Sequence, residues 1–399
     1  MVKNKMKQKR KISDKKNLNK NEINKNLEKR KLNISEDIMK NQKIEGTKVK
    51  TEIINMKKLH GFEYNLAIQK AANLIREGEV VVFPTETVYG LGANAYNPNA
   101  IKKIYEIKNR PVDNPLIVHV SSVDMAKMLV TYFNEDAEKL AKEFWPGPLT
   151  LILPKSEIIP DIVTGGLNTI AIRMPNNKIA LDIIKAASLP IAAPSANLSG
   201  KPSITNARDA NEELNSIVPL IIDGGECKIG IESTVLNLTS NPITILREGI
   251  ITKKQIEEVL NKKIEVCKTC EVALSPGMKY KHYSPKANVY LITPRDGRIK
   301  TIIVTLEKAQ KLIKDEIKTM VILSEEIPER MEKQIKETIY PFGKLVILKD
   351  VKYMAHEMFK LFRKADRENY KSIVIEGILE EGIGSAVMDR LKKAADEII

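Results

Sequence analysis

The pattern of apolar and polar positions predicts a strand, a helix and a second strand in close succession within the first third of the chain. An apolar run at 80–83 is typical of a buried strand. A helix is predicted at about 98–108, and Pro111 stops it because proline cannot continue a helix. The second strand, at 116–120, carries His119 within an otherwise apolar run. Polar side chains therefore gather at strand and helix ends, where α/β folds bind ligands.

The connection after the first strand is rich in hydroxyls and glycines. Thr85 and Thr87 lie in a turn that follows Pro84. Gly90 and Gly92 lack a Cβ atom, so they allow the backbone to approach another group closely. Together with the cations at the end of the helix, these residues indicate an anion-binding active site.

The same reasoning extends a mixed helix and strand pattern to about residue 264. Helices are predicted at about 65–77, 135–144, 178–187, 206–214 and 253–260. Strands are predicted within 145–155 and at 168–175, 189–193, 220–222, 233–238 and 243–247. We therefore expect a catalytic domain at 47–264, of roughly 200 residues.

A linker and a smaller domain follow. Residues 265–287 combine Pro and Gly with tyrosines and a histidine, which a merely flexible spacer would be expected to lack. From 288 to 399, strands alternate with helices, an order typical of a parallel α/β domain. Its strands are predicted at 289–292, 320–323, 344–348 and 372–375, and its longest helix at 351–367. We expect no separate chemistry there because it lacks a phosphate-binding fingerprint.

The first 46 residues differ from the rest in composition. Residues 1–58 carry 19 Lys or Arg and 7 Asp or Glu, so most of the net charge of +14 lies there. Such a Lys- and Asn-rich segment is typical of disorder. Contact of this basic tail with RNA or the ribosome is one alternative to disorder. Another is a start codon assigned too early, since Met39 or Met56 would give a more ordinary N-terminus.

Composition favours a cytoplasmic globular protein. Hydrophobic residues make up 43% and charged residues 29% of the chain. No apolar run approaches the roughly 20 residues that span a bilayer, and the N-terminus lacks the apolar region of a secretory signal. Three cysteines fit a reduced compartment better than a disulfide scaffold. Membrane attachment is therefore not expected.

Several known chemistries find no support in the sequence. The nucleotide-binding P-loop, the H-E-x-x-H zinc motif and the G-x-S-x-G nucleophile motif are missing. The four histidines lie far apart in sequence, which argues against a zinc site, and no metal ligands are predicted. The spacing of Cys267 and Cys270 is read as chance, with a redox or metal pair as the alternative.

Single motifs in the chain are weak evidence when taken alone. Lys108 and Arg110 could serve only to complement a helix dipole. Ser195 and Asn197 are ordinary turn residues, and His119 could be a satisfied core histidine. The occurrence of all these motifs in one fixed order is stronger evidence than any one of them.

Six segments stand in that order: P-T-E-T-V-Y-G-L-G-A-N-A, K-x-R-P-x-x-N-P-L-I-x-H, I-R-x-P, P-S-A-N-x-S-G, E-S-T-V and L-R-x-G. In order and spacing they resemble the threonylcarbamoyl-AMP synthases, the YrdC-like proteins of the tRNA t6A pathway. The resemblance covers about 47–249, and the linker and C-terminal domain resemble the longer, two-domain form of the family. Residues 1–46 have no counterpart in it.

The resemblance implies both a fold and a reaction. The fold would be α/β, with a mixed twisted sheet and helices enclosing a cationic cavity, plus a smaller parallel, Rossmann-like domain. The reaction would join L-threonine, bicarbonate and ATP into threonylcarbamoyl-AMP and release pyrophosphate. An anion then attacks a polyanion, so cations that offset their repulsion are the main requirement. Mg²⁺ is expected with ATP, held mostly by phosphates and water.

The resemblance also assigns roles to residues at matching positions. The catalytic group would be Lys108, Arg110, Ser195 and Asn197. The ATP contacts would be Arg110, Asn114, Thr169, Ser195, Ser203, Arg247 and Tyr283, the last acting as a lid that excludes water. The L-threonine contacts would be Thr87, His119, Arg173, Ala193 and Ser233. The product would pass to the threonylcarbamoyl transferase of the pathway.

Two other functions compete with this interpretation. A double-stranded RNA-binding or ribosome-maturation protein could use the same cations and the basic tail. A carbamoyltransferase working from carbamoyl phosphate is the third possibility, although its accessory modules are not evident in the sequence. Single cations spaced among Thr, Ser, Asn and Gly favour a small ligand over RNA.

Overall fold

The computed structural model describes residues 49–267 and 282–399. Residues 1–46, and the part of the linker that includes Cys270, therefore lie outside the described residues. Within the described ranges, eleven strands of the N-terminal part form one mixed sheet and five strands of the C-terminal part form a parallel sheet. No helix of these ranges is long and apolar enough to cross a membrane. The predicted α/β fold class is confirmed.

The large sheet has the strand order β1-β8-β2-β3-β7-β4-β6-β5-β9-β10-β11. Its strands are β1 (Glu52–Asn55), β2 (Val81–Phe83), β3 (Gly90–Asn94), β4 (Ile117–His119), β5 (Leu149–Pro154), β6 (Thr169–Arg173), β7 (Ile191–Ala192), β8 (Leu220–Asp223), β9 (Thr234–Asn237), β10 (Thr244–Arg247) and β11 (Glu265–Val266). The accompanying helices are α1 (Gly61–Arg76), α2 (Pro98–Lys108), α3 (Val123–Met128), α4 (Glu135–Phe144), α5 (Asp161–Thr164), α6 (Lys178–Ala187), α7 (Ala207–Leu214) and α8 (Lys253–Leu260). A 3₁₀ turn at Met56–Lys58 follows β1.

The apolar run that predicted β2 is explained by burial on both faces of this sheet. Val82 joins the larger core cluster on one face, whereas Val81 and Phe83 pack with α1 and α6 on the other. A strand covered on both sides reads as a continuous apolar run rather than an alternating one.

Local capping explains why the bounds of α2 were predictable. The side chain of Asn97 accepts hydrogen bonds from the backbone of Asn99 and Ala100, and Pro98 occupies the first turn. Asn109 then takes a left-handed conformation, with φ of 48°, and ends the helix. The turn at Asn109 separates Lys108 from Arg110 at the end of the helix.

The C-terminal sheet has the order β14-β13-β15-β12-β16. Its elements are β12 (Asn288–Ile292), α9 (Arg298–Lys314), β13 (Thr319–Leu323), α10 (Glu329–Ile339), β14 (Gly343–Ile347), α11 (Val351–Arg367), β15 (Ser372–Glu376), α12 (Ile383–Ala394) and β16 (Glu397–Ile398). One core cluster contains residues of α11 and α12, and another contains residues of α9 and α10. The predicted parallel domain therefore has helices on both faces of its sheet.

The two parts are in direct contact. Ile231 of the N-terminal part is fully buried in the core cluster formed by α11 and α12. Arg363 of α11 donates to the carboxylate of Glu213 at 2.8 Å, and Arg367 donates to Asp209 at 2.5 Å. The C-terminal helices therefore lie against the domain that carries the predicted site.

Candidate active site

One cavity brings together most of the predicted site residues. Eleven predicted residues line it: Thr87, Lys108, Arg110, His119, Arg173, Ala193, Ser195, Asn197, Ser233, Arg247 and Tyr283. Asn114, Thr169 and Ser203 are not in its lining, and their predicted contacts with ATP stay predictions.

Lys108 and the 195–197 loop form one wall of the cavity. The buried ammonium of Lys108 donates to the carbonyl of Ser195 at 2.5 Å and also to that of Asn197. The backbone of Ser199 donates to the Lys108 carbonyl at 2.9 Å, so helix and loop are bonded in both directions. Burial and the nearby charge of Arg110 hold the pKa of Lys108 well below its ordinary value.

Arg110 lies on the same wall and is held by its own loop. Its Nε donates to the carbonyl of Asn114 at 3.1 Å, and its Nη2 donates to that of Pro115 at 3.0 Å. Burial lowers the pKa of Arg110 to about 10, so the guanidinium remains charged at neutral pH. Asn114, which is absent from the lining, thus fixes Arg110 through its backbone.

Arg173 dominates a second wall. Its Nη1 donates to the Thr87 hydroxyl at 2.9 Å, its Nε donates to the Gly147 carbonyl at 3.2 Å, and its Nη2 lies 2.7 Å from a carboxylate oxygen of Glu86. His119 is its register partner on the neighbouring strand β4. Burial and the charge of Arg173 lower the pKa of His119 to about 3, so this histidine is neutral at pH 7.

The third wall contains Ser233 and Arg247. The Nε of Arg247 donates to the Ser233 carbonyl at 3.0 Å, and its Nη2 donates to the Ser233 hydroxyl at 3.1 Å. The same hydroxyl shares a hydrogen bond of 2.7 Å with Thr150. Burial lowers the pKa of Arg247 below its ordinary value.

Tyr283 of the linker belongs to the cavity and to the C-terminal core at once. Its ring stacks on Phe359 of α11, with centroids 5.2 Å apart. The backbone of the next residue, Ser284, donates to the Gly200 carbonyl at 2.9 Å. Tyr283 therefore lies where the predicted lid was placed, although the linker residues 268–281 lie outside the described ranges.

Eight lining residues were not predicted as site residues, and two of them, Glu232 and His282, carry titratable side chains. Glu232 is the acid of the quoted E-S-T-V segment, and His282 precedes the predicted Tyr283. Nothing local to Glu232 identifies it, because one of its bonding partners, Arg390, lies far along the chain. Burial lowers the pKa of His282 to about 4, so it is neutral at pH 7.

Several buried polar atoms around the cavity have no hydrogen-bond partner among the described residues. They are Nδ1 of His119, Oδ1 of Asn197, Nε2 of His282 and, beside Arg110, Oδ1 of Asn114. Buried polar groups are costly unless they are paired, so such a cluster indicates a cavity built for a polar ligand.

Other predictions about polar clusters concern metals and cysteines. In the described ranges, no group of three or more His, Cys, Asp or Glu side chains could hold a metal ion. Cys267 is disulfide-bonded, whereas the sequence favoured a chance spacing, and Cys227 is a buried free thiol. Burial raises the pKa of Cys227, and it lies outside the cavity lining.

The fold and the cavity define an α/β protein with a cation-lined site suited to small anions. Four buried cations, several hydroxyls and unpaired polar atoms line one cavity in the described part of the chain. These features fit phosphate and carboxylate groups, which the donors of Arg and Lys recognise.

Comparison with known proteins supplies the particular family. Residues 73–249 match the Sua5–YciO–YrdC family model, described as telomere recombination, and residues 251–396 match the C-terminal domain of threonylcarbamoyl-AMP synthase. The threonylcarbamoyl-AMP synthase of Pyrococcus abyssi is 45% identical over 334 residues, which cover 82% of this chain and 94% of that protein. The Schizosaccharomyces pombe synthase is 37% identical over 370 residues, with 84% and 90% covered.

A solved structure agrees with these relatives. The crystal structure of P. abyssi Sua5 complexed with L-threonine matches with a TM-score of 0.79 and 44% identity, and covers 87% of this chain and 99% of that one. The chain therefore belongs to the threonylcarbamoyl-AMP synthase family, in its two-domain form. The predicted family and the class of enzyme, a nucleotidyltransferase, are confirmed.

Proposed function

We propose that this cavity joins L-threonine, bicarbonate and ATP into threonylcarbamoyl-AMP and releases pyrophosphate and water. The observation that carries the proposal is the set of four buried cations, Lys108, Arg110, Arg173 and Arg247, around one cavity. Burying four cations together is costly unless anions compensate them. Glu86 pairs with Arg173 and Glu232 lies in the cavity lining, and a carbamate, a threonine carboxylate and a triphosphate supply the remaining compensation.

Threonine binds at the Arg173 wall in this proposal. Arg173 recognises the amino acid carboxylate, while the Thr87 and Ser233 hydroxyls and the backbone near Ala193 bond its other polar groups. His119 contributes a neutral imidazole with an unpaired buried nitrogen, which can bond the amine or the side-chain hydroxyl. The P. abyssi relative was solved with L-threonine, which supports an amino acid site in this fold.

ATP binds at the walls formed by Arg110 and Arg247. Both guanidinium groups are buried and held by backbone carbonyls, so they meet the phosphates in fixed orientations. Ser195 adds a hydroxyl, and Tyr283 closes the cavity on the side of the C-terminal domain. We retain Asn114, Thr169 and Ser203 as further nucleotide contacts on the strength of the family motifs.

The reaction needs no strong carboxylate base. The amine nitrogen of threonine first bonds the carbon of bicarbonate, one bicarbonate oxygen leaves as water, and the product is a carbamate. This carbamate is an anion, and one of its oxygens attacks the α-phosphorus. The new O–P bond forms as the bond from the α-phosphorus to the oxygen bridging the α- and β-phosphates breaks, and pyrophosphate leaves with that electron pair. Lys108, bonded to the 195–197 loop, places its charge in this space and offsets the repulsion between the two anions.

Mg²⁺ would enter with ATP. Glu232 is the one acid among the described lining residues, and its oxygens are already bonded by Ser203 and Arg390. The cavity therefore lacks a carboxylate cage for the ion, and the phosphates and water are the ligands that remain. When bound, Mg²⁺ supplies charge that stabilises the leaving pyrophosphate.

We place this activity in the cytoplasm, where ATP and tRNA meet. The product is a mixed anhydride that water can hydrolyse, so it must be passed on quickly to the threonylcarbamoyl transferase of the t6A pathway. A contact between RNA and the basic tail at 1–46 is a further proposal, supported by the excess of Lys and Arg in that segment.

Mass analysis of the product tests the proposed reaction. The full chain is incubated with ATP, L-threonine and ¹³C-bicarbonate, and the adenylate is separated by chromatography. We expect threonylcarbamoyl-AMP whose mass carries the ¹³C label. An adenylate that lacks the label, or no adenylate at all, would contradict the proposal.

A further inference from the structure

Arg390 of the C-terminal helix α12 carries an inference about ATP binding that rests on the proposed function. We infer that Arg390 is a positioning residue: it neutralises Glu232 in the cavity wall and so permits the polyphosphate to bind beside that carboxylate. The C-terminal domain would then contribute to the electrostatics of the active site, in addition to supporting the lid.

The geometry places Arg390 between the two domains. Its side chain is fully buried, and its Nε donates to a carboxylate oxygen of Glu232 at 3.2 Å. Its Nη1 donates to the carbonyl of Glu248 at 2.5 Å and to that of Ala386 at 3.2 Å. The same Nη1 lies 3.3 Å from the carboxylate of Asp389. The guanidinium is therefore anchored on both domains.

Glu232 lies in a segment, 229–233, that the two domains share. The backbone of residues 229 and 230 donates to the carbonyls of Glu86 and Thr87, next to the predicted threonine site. Gly230 has a φ of +87°, and a Cβ atom there would lie 2.5 Å from the Cα of His356 in α11. Helix α11 thus packs directly on the backbone that carries Glu232 into the cavity.

The charge of Glu232 is unfavourable for a site that binds ATP. It is the one carboxylate among the described lining residues, opposite cations that attract phosphate. Burial alone would raise the pKa of Glu232, but Arg390, Arg247 and the Ser203 hydroxyl outweigh burial and lower it. Glu232 is therefore ionised, and without Arg390 its charge would face the polyphosphate with less compensation.

A purely structural role for Arg390 is the competing explanation, and the interface offers a control for it. Arg367 of α11 bonds Asp209 across the same interface, outside the cavity lining. Arg367→Met therefore removes an interdomain ion pair without altering the charge of the cavity. It should lower stability and leave the affinity for ATP unchanged.

The test uses the full chain and four variants: Arg390→Met, Glu232→Gln, their combination, and Arg367→Met. The dissociation constant of Mg-ATP is measured by calorimetry, and KM for ATP and for threonine by pyrophosphate release. We expect Arg390→Met to weaken ATP binding at least about tenfold and to change KM for threonine less than about threefold. Glu232→Gln should bind ATP more tightly than the wild type, because the charge of Arg390 is then unmasked.

Recovery of ATP binding in the double variant distinguishes an electrostatic role of Arg390 from a purely structural one. The double variant Glu232→Gln/Arg390→Met should bind ATP within about threefold of the wild type, since both charges are removed together. If Arg390→Met fails to fold, the ATP affinities of the double variant and of Glu232→Gln still test the electrostatic role of Arg390. A double variant as weak as Arg390→Met, an equal rise in both KM values, or an equal loss in Arg367→Met would overturn the inference. Absence of pyrophosphate release in the wild type would refute the proposed function, while the calorimetry still tests Arg390.

Discussion

Replacement of Lys108 by Met tests the role of the cations in catalysis most selectively. The change removes the ammonium and its bonds to the carbonyls of Ser195 and Asn197, but retains most of the side-chain volume. Removal of one preorganised donor from a water-excluded site typically costs about 2.7–4 kcal/mol, or about 10²–10³ in kcat. We expect a loss of that size in Lys108→Met.

Stability should respond much less than activity. The low pKa of Lys108 indicates that burial penalises its charge, so an apolar replacement removes that penalty. The two carbonyls lose a donor, which acts in the opposite direction. We expect the free energy of unfolding to change by no more than about 2 kcal/mol, because a buried charge replaced by an apolar group of similar volume is often nearly neutral.

The assay compares initial rates of pyrophosphate release at saturating substrates with thermal melting of the same samples. Lys103→Met is a matched control on the same helix, where Lys103 is partly exposed and pairs with Glu79 at 2.7 Å outside the cavity. Its rate should equal that of the wild type. A Lys108→Met rate above about one tenth of the wild type would contradict a catalytic role for the Lys108 charge, as would an equal loss in Lys103→Met.

Three further predictions concern the substrate-binding residues and the pH dependence of stability. Arg173→Lys should raise KM for threonine at least about tenfold and leave KM for ATP nearly unchanged, because a single ammonium cannot hold Thr87, Glu86 and a carboxylate together. Steady-state titrations of both substrates measure this, and an equal rise in both KM values would contradict it. Tyr283→Ala should weaken ATP binding, measured by calorimetry, more than threonine binding, because the closing ring is lost; unchanged ATP affinity would argue against the lid. The pKa of His119 is about 3 in the fold and about 6.5 unfolded, so the unfolded state binds more protons between these values and stability falls as pH falls through that window. His119→Asn should remove up to about 1.4 kcal/mol per pH unit from that slope in urea melts, and an unchanged slope would refute the assignment.

Elements that depend on local capping were predictable from the sequence, whereas others required tertiary contacts. Helix α2 was predicted with its observed bounds from the stop at Pro111, and the structure adds the local caps that fix these bounds, Asn97 at the start and Asn109 at the end. Helix α1 begins earlier than predicted because Phe62 in its first turn is 75% exposed and does not follow the apolar pattern. Strand β1 lies at the sheet edge and carries mostly exposed residues, so its sequence gave no burial signal.

Strand β3 illustrates the limit of local reasoning. Its residues, Gly90–Asn94, include two glycines and were predicted only as a close approach of backbone to another group. That group is the sheet itself, since a Cβ atom on Gly92 would lie 2.4 Å from Phe83 and 2.7 Å from Ile191. Pairing with β2 and β7 imposes the strand, which its own composition does not favour.

The site residues also divide into those recognisable from local sequence and those that depend on tertiary contacts. Ordered motifs identified residues that the fold then placed around one cavity, because each motif sits at the end of a strand or helix. Glu232 was missed because its significance depends on Arg390, which the sequence separates by 158 positions. Thr169 begins β6, whereas Arg173 at the other end of that strand lines the cavity. A structure with bound nucleotide would test the predicted contact between Thr169 and ATP.

Pyrophosphate release from ATP is the decisive measurement for the proposed synthesis of threonylcarbamoyl-AMP. The full chain is assayed with Mg-ATP, L-threonine and bicarbonate in degassed buffer, and threonine and bicarbonate are omitted in turn. We expect release to fall to background in each omission and to return when the missing substrate is added. Release that continues without threonine, or no release with all three substrates present, would contradict it.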